Sequence, residues 1–292
     1  FWMFLLVSVP VGFHHQFVDP GVPQIWKYIH ALLTYSVFFP SMLTAFTVIA
    51  SLEYAARQRG GTGLIGWVRA LPWDDPSVTS QLLAGILFMF GGIGGLTNAS
   101  YNVNLVIHNT AWVPGHFHLT VATAVTLSFI GITYWLVPNL TGKQLWGRRV
   151  AVAQAWTWFV GMVIFSNAMH MLGLLGAPRR TPLGEALYVP DEWNGHLLRV
   201  SIGGVILLAA VIMYLLIMYK TVRGPVAAAE DVPQVPIAES LRHPQLTPVW
   251  LDRFKPWLIA AGVLLLLAYG PQLVDQIMNI NLNAPGTDFT PW

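Results

Sequence analysis

The sequence contains no cysteine, and only 10% of its 292 residues are charged. Without cysteine there is no disulfide, no thiolate metal site, no iron–sulfur cluster and no covalently attached c-type haem. Any metal has to be held by imidazole, carboxylate or backbone, which directs attention to the nine histidines. A soluble domain carries roughly a quarter charged residues, so the scarcity of charge excludes one. At 55% hydrophobic the chain is not disordered either. A net charge of +2 made of scattered basic residues leaves no electrostatic footprint for nucleic acid. No internal repeat is evident.

Long apolar runs are what the sequence has in abundance. A membrane-crossing helix needs about 20 mostly apolar residues. Six such runs lie at 27–52, 79–99, 112–138, 151–175, 200–220 and 256–280. The fold class they predict is all-α, a polytopic transmembrane helical bundle in membrane lipid. A seventh run, from Phe1 to Phe13, is too short to cross and reads as the end of a truncated helix. It has no initiator Met and no basic flank, so it does not read as a signal peptide, and the expectation is that N-terminal sequence precedes it. The stretch Thr221 to Asp252, rich in Pro, Val and Ala, reads as a cytoplasmic linker within one integral-membrane domain covering 1–292.

Basic residues predict the orientation, because short cytoplasmic loops collect Lys and Arg. Counting loops alternately, one side holds Arg57, Arg59, Arg69, Lys143, Arg148, Arg149, Lys220, Arg223, Arg242, Arg253 and Lys255. The other holds Lys27, Arg179, Arg180 and Arg199. Eleven against four places the linker inside. The His14-His15 loop, the Arg179-Arg180 loop and the C-terminus then lie outside.

Ionisable residues are costly within the hydrocarbon region and default to a functional reading there. In NTAWVPGHFHLTVAT, Pro114 suits the first turn of a helix, which puts His116 and His118 early in a span. Two residues apart means a rotation of about 200°, so the two imidazoles leave the helix on nearly opposite sides and cannot chelate one ion. They suggest two cofactors flanking the helix, with Phe117 between them; the alternative is two histidines hydrogen-bonded to neighbouring helices. His14 and His15, adjacent in irregular backbone, can converge on one metal, and imidazole suits copper, zinc or iron.

Two further groups stand out. Thr34, Ser41, Thr44 and Thr47 fall on roughly one helix stripe, which could carry protons through a hydrogen-bonded water chain. Hydroxyls also cement transmembrane helices by simple packing. Near the outer surface, Asn104, His108, Arg179 and Arg180 lie in loops beside the His116 span. Adjacent arginines can pair with planar carboxylates through bidentate contacts, and interfacial anchoring is the alternative.

The segments GFHHQFVDPG, PSMLTAFTVIASLE, HNTAWVPGHFHL, YWLVPNLTGK and APRR, in this order and spacing, resemble the C-terminal half of the catalytic subunit of a haem–copper terminal oxidase. The ba-type, or B-family, cytochrome c oxidases are the most similar branch. The resemblance covers nearly the whole chain and weakens in the linker and the last few residues. It implies that His14 and His15 are two of the three ligands of the copper at the oxygen-reducing centre. It implies that His116 is the axial ligand of the high-spin haem, and His118 one axial ligand of the low-spin haem. Thr34, Ser41, Thr44 and Thr47 correspond to the hydroxyl side of the family's proton path, and His108, Arg179 and Arg180 to haem propionate contacts.

By the same resemblance, the third copper ligand, a cross-linked Tyr and the second low-spin haem ligand belong upstream of this sequence, in an N-terminal half of the subunit. Asn104 stands where the most similar relatives carry a carboxylate. The activity implied is reduction of O2 to water coupled to proton translocation in a prokaryotic cell membrane. Cytochrome c is the expected electron donor, through a subunit II with a dinuclear copper centre. Quinol oxidase and nitric oxide reductase are the alternatives within the superfamily. Outside it stands a non-enzymatic transporter with structural histidines, a reading to which Gly91, Gly92, Gly94 and Gly95 would lend a helix broken near the midplane.

Overall fold

The computed structural model describes residues 15, 17–18, 24–180, 189–226 and 228, and, further on, 255, 259, 263, 266 and 274. The chain divides into two compact units, 1–234 and 235–292. In the first unit the described residues form α1 (Gln24–Gln58), a 3-10 turn (Gly66–Ala70), α2 (Pro76–Ala99), α3 (Tyr101–Ile107), α4 (Trp112–Leu119), a π turn (Thr120–Val125), α5 (Thr126–Thr141), α6 (Arg148–Leu174) and α7 (Asp191–Arg223). In the second, Lys255, Ile259, Val263, Leu266 and Val274 are helical. The run at 256–280 otherwise lies outside the described residues, as do Phe1–Phe13, His14 and most of the linker.

The protein is therefore the polytopic helical membrane bundle that its apolar runs predict. Five spans, Lys27–Gln58, Pro76–Ala99, Trp112–Thr141, Arg148–Leu174 and Asp191–Arg223, are long and apolar enough to cross a membrane. Among the described residues there is no strand, only two isolated bridges, Thr110 to Pro178 and Lys143 to Val226. Helices extend past the apolar windows because backbone hydrogen bonds continue into the polar interface, where side chains can be hydrophilic. Thus α7 begins at Asp191 and ends at Arg223, three residues into the stretch read as linker.

Local signals explain the ends. Asp75 caps α2 by accepting from the Val78 N–H at 3.0 Å, and Pro76 occupies the first helical position. Gly142, at φ +62°, ends α5 in the left-handed conformation that glycine adopts without steric cost. α7 has Asp191 and Glu192 in its first turn and Lys220 and Arg223 in its last, each charge opposing the helix dipole.

A core of Leu83, Leu87, Leu127, Ile130, Met162, Ala210 and Ile217 joins α2, α5, α6 and α7. Two polar pairs inside it find each other: the Tyr134 hydroxyl donates to Gln154 Oε1 at 2.8 Å, and Thr133 Oγ1 meets the Tyr214 hydroxyl at 3.0 Å, while Gln154 Nε2 and Trp158 Nε1 have no hydrogen-bond partner among the described residues. Small residues let the backbones approach, the usual means of helix association where lipid is as apolar as leucine. A Cβ added at Gly203 of α7 would lie 2.8 Å from both N and Cβ of Phe165 on α6. Gly203→Leu should therefore separate α6 from α7 and lower stability by about 1–3 kcal/mol, read as an earlier thermal unfolding transition in detergent. Gly195→Ala on the same helix, where a Cβ meets nothing within 4 Å, should leave that transition in place or raise it slightly.

Candidate functional site

α4 carries the two histidines on different sides. His116, 7% exposed, faces α2: a Cβ at Gly94 would lie 2.9 Å from its Nδ1, and one at Gly95 would lie 3.5 Å from its Cε1. His118 faces α6, its ring 4.7 Å from that of Phe165. The opposite-face expectation drawn from spacing thus matches the placement, with Phe117 between them, its ring 5.5 Å from His116. α2 runs unbroken from Pro76 to Ala99. Gly91 lies against Thr120, and Gly94 and Gly95 against His116, so these glycines serve close packing and not a broken transport helix.

The His118 ring has a defined proton. Its Nδ1 lies 2.6 Å from the Pro114 carbonyl oxygen, which can only accept, so Nδ1 carries the hydrogen and Nε2 keeps its lone pair. Ligand histidines are held in this way, with one nitrogen donating to a carbonyl and the other free for a metal. Directly after the histidines the backbone widens into the π turn Thr120–Val125, a feature frequent at functional sites. There Thr123 Oγ1 donates to the His118 carbonyl at 2.8 Å. Nothing in the apolar run 112–138 signals this turn.

His170 on α6 is a neighbour that spacing alone did not single out. Its Nδ1 donates to the Ser166 carbonyl at 2.7 Å, while Ser166 Oγ donates to the Gly115 carbonyl at 2.8 Å. A Cβ at Gly115 would lie 2.8 Å from His170 Nδ1 and 3.0 Å from its backbone N. Trp112 bridges the two layers, nearly parallel to His116 at 6.0 Å and 16°, and edge-on to His170 at 5.0 Å and 84°. Gly173 packs directly on Trp112. The available signal was the pair Ser166 and His170 at i, i+4 on a span.

His15 comes to the same end of the bundle, its ring 5.3 Å from that of Phe117. Its Nδ1 lies 3.0 Å from Asn98 Nδ2. Asn104 Nδ2 in turn donates to the Asn98 carbonyl at 2.8 Å and to Asn98 Oδ1 at 3.0 Å. Asn104 is not in a loop as expected: it is fully buried in the short helix α3, with His108 as the residue that ends it. A polar side chain of that kind remains buried because it bonds Asn98 near the end of the preceding helix α2. Among the described residues no three His, Asp or Glu side chains gather into a cage, so His15, His116 and His118 offer single imidazoles. His14 lies outside the described residues.

The loop after α6 folds back on the start of α4. The Ala111 N–H donates to the Ala177 carbonyl at 2.8 Å, and the Arg179 N–H to the Asn109 carbonyl at 2.9 Å. Arg179 Nε also donates to Asn109 Oδ1 at 3.0 Å. This brings Arg179 against Asn109, the residue that follows His108. Asn109 and Arg180 adopt positive φ, +59° and +62°.

Along α1 each hydroxyl donates to a carbonyl four residues back: Thr34 to His30 at 2.6 Å, Ser41 to Val37 at 2.8 Å, Thr44 to Pro40 at 3.0 Å and Thr47 to Leu43 at 2.9 Å. Thr34 is buried and Ser41 half-buried, whereas Thr44 and Thr47 are exposed. The stripe therefore turns outward along the helix, each step of three residues rotating it by about 60°.

Residues 1–206 match the family described as cytochrome C and quinol oxidase polypeptide I. Cytochrome c oxidase subunit 1 of Thermus thermophilus is 44% identical over 290 residues, 96% of this chain and 51% of the relative. Cytochrome c oxidase polypeptide 1 of Halobacterium salinarum is 32% identical over 77% of this chain and 35% of its own length. A heme-copper terminal oxidase dimer solved by cryo-EM superposes with a TM-score of 0.74 at 39% identity, covering 92% of this chain and 48% of that one. The chain spans about half the length of the Thermus relative.

The glycine contacts around α4 make a direct test. Gly115→Ala puts a methyl group against the His170 backbone, which cannot turn aside, and should displace α4 and destabilise the protein by about 1–3 kcal/mol. Gly92→Ala, with open space at Cβ, should be neutral. Differential scanning of the two variants in detergent reads the difference.

Proposed function

Because the chain belongs to the cytochrome c and quinol oxidase polypeptide I family, we propose that it is the C-terminal part of subunit I of a ba-type haem–copper terminal oxidase, reducing O2 to water and translocating protons. The observation that carries this reading is the His118 ring, whose Nδ1 is committed to the Pro114 carbonyl and whose Nε2 is left as a ligand. His116, two residues earlier, turns its Nδ1 edge to the glycine cradle of α2. The donor set thus fits two separate planar cofactors on the two sides of α4.

In this reading His116 holds the high-spin haem, His118 the low-spin haem, and His14 and His15 the copper. When bound, these groups supply the oxygen-binding site and the electrons for its reduction. The chain's own residues hold and orient them. Trp112, backed by His170, fixes the plane of the His116 ring, and Pro114 fixes that of His118. Arg179 and Arg180, together with His108 and Asn104, receive the haem propionates through hydrogen bonds, charge-assisted at the arginines. Thr47, Thr44, Ser41 and Thr34 pass protons from the cytoplasmic side. Their hydrogens are bonded to carbonyls, yet each oxygen retains acceptor capacity for water.

The partners follow from the same reading. A subunit II with a dinuclear copper centre brings electrons from cytochrome c, and the N-terminal half of subunit I supplies the remaining ligands. The His14-His15 loop and the Arg179-Arg180 loop face the outside of a prokaryotic cell membrane. Copper is favoured over the non-haem iron of a nitric oxide reductase because Asp19 is the sole acidic residue between His14 and Thr47, and hard carboxylates are what iron recruits.

A reduced-minus-oxidised visible spectrum of the purified complex, with and without carbon monoxide and with metal quantification, tests this reading. Two haems, one binding carbon monoxide, and stoichiometric copper are expected. His118→Leu should remove the low-spin signal alone, and His116→Leu the carbon monoxide shift alone. Iron in excess of the haems with no copper would move the assignment to nitric oxide reductase. Thr44→Val should slow turnover several-fold while leaving both haem spectra intact, and an unchanged rate would exclude Thr44 from the proton path.

A further inference from the structure

We propose that Asn98 and Asn104 are positioning residues for His15, setting which of its ring nitrogens carries the proton, and that metal loading through Nε2 requires both amides to reverse together. The inference rests on the reading of His15 as a copper ligand and goes beyond it. It begins from a backbone atom. The Asn98 carbonyl can only accept, so the Asn104 amide atom 2.8 Å from it is the nitrogen. That nitrogen also lies 3.0 Å from the Asn98 side chain, whose facing atom is therefore the oxygen. The Asn98 nitrogen is then the atom 3.0 Å from His15 Nδ1. Nδ1 accepts, and the neutral ring holds its proton on Nε2.

A protonated Nε2 has no lone pair to give a metal. Moving the proton to Nδ1 sets an N–H against the Asn98 NH2, and turning Asn98 sets its NH2 against that of Asn104. Turning Asn104 as well breaks its bond to the Asn98 carbonyl. Asn98 is 1% exposed and Asn104 0%, so solvent does not supply substitute partners, and buried networks of this kind switch as a unit. The three groups thus have two alternative arrangements, of which the second forfeits the bond to the Asn98 carbonyl, so the amide at Asn104 favours the one in which His15 Nε2 is protonated. An ionised carboxylate at 104, unlike its protonated form, could not donate to the Asn98 carbonyl. It would accept from Asn98 Nδ2, turn Asn98 Oδ1 toward His15 and leave Nε2 open.

The experiment uses the whole oxidase complex. Two readouts are taken: the rate at which a copper(I) chelator removes copper, and the infrared band of carbon monoxide transferred to copper by photolysis from the haem. Asn104→Asp should slow copper loss about tenfold, the size of effect that partners of metal ligands usually have, and shift the infrared band. In an Asn98→Leu background the same Asn104→Asp change should alter the rate less than about twofold, because the connection is cut. If Asn98→Leu does not assemble, Asn98→Asp decides: its carboxylate accepts from both His15 Nδ1–H and Asn104, and should slow copper loss about tenfold by itself.

A tenfold effect of Asn104→Asp that persists without Asn98 would mean that the new charge acts directly, and would overturn the relay. So would an Asn98→Asp variant that loses copper at the parental rate. His15→Leu is the control on the underlying reading. If it keeps its copper and its infrared band, the ligand assignment fails, an outcome separate from failure of the relay.

Discussion

The helix Trp112–Leu119 can lie where it does only because neighbouring backbones come within van der Waals reach of it at glycines. Gly94 lies against His116, Gly91 against Thr120, Gly173 against Trp112, and Gly115 itself against His170. In a membrane the attraction between helices comes from such close packing, not from exclusion of water. The contacts at Gly94, Gly115 and Gly173 each remove a degree of freedom from an imidazole or from the indole that supports one. A methyl group at any of these glycines meets a neighbour, and at Gly91, Gly115 and Gly173 the neighbour includes backbone. The glycines therefore determine ring orientation as much as helix spacing.

Close packing also determines where protons sit. At membrane depth a nitrogen finds its partner within the protein or has none, so the rings of His118, His170 and His15 are pinned by the atom that each Nδ1 meets. For His118 that atom is a carbonyl at 2.6 Å and for His170 a carbonyl at 2.7 Å, which gives both rings an open Nε2. For His15 it is an amide nitrogen, which gives the opposite result. Three histidines of one chain are thus prepared in two ways, by backbone in two cases and by side chains in the third. Backbone carbonyls cannot reverse; side-chain amides can. His15 is the ring whose preparation can change without moving a helix.

Much of this was legible in the sequence and some was not, for identifiable reasons. The five described spans follow from apolar length, since a helix is the simplest way to satisfy every backbone group in hydrocarbon. The divergence of His116 and His118 follows from a rotation of 100° per residue. The π turn at Thr120–Val125 leaves no compositional trace, because it depends on hydroxyls and carbonyls that bond equally well in an α-helix. Asn104 was misplaced into a loop because the seven-residue helix that holds it lies between two long apolar runs and is too short to show a period. His170 was overlooked for a related reason: it sits in an apolar run without another histidine nearby in sequence, and its meaning comes from Gly115 and Trp112, more than fifty positions away.

The hydroxyls of α1 show how far such reasoning extends. A Ser or Thr bonded back to the carbonyl four residues earlier has satisfied its donor, so it faces lipid or protein at little cost. Exposure of Thr44 and Thr47 is therefore no argument against a role, and burial of Thr34 is none for it. What separates a packing hydroxyl from one that conducts is the lone pair left over, and whether a water or another hydroxyl can donate to it. On α1 the hydroxyls turn away from one another along the helix, with each donor committed to backbone. A continuous path along this face must then be carried by water between them, because no hydroxyl donates directly to the next.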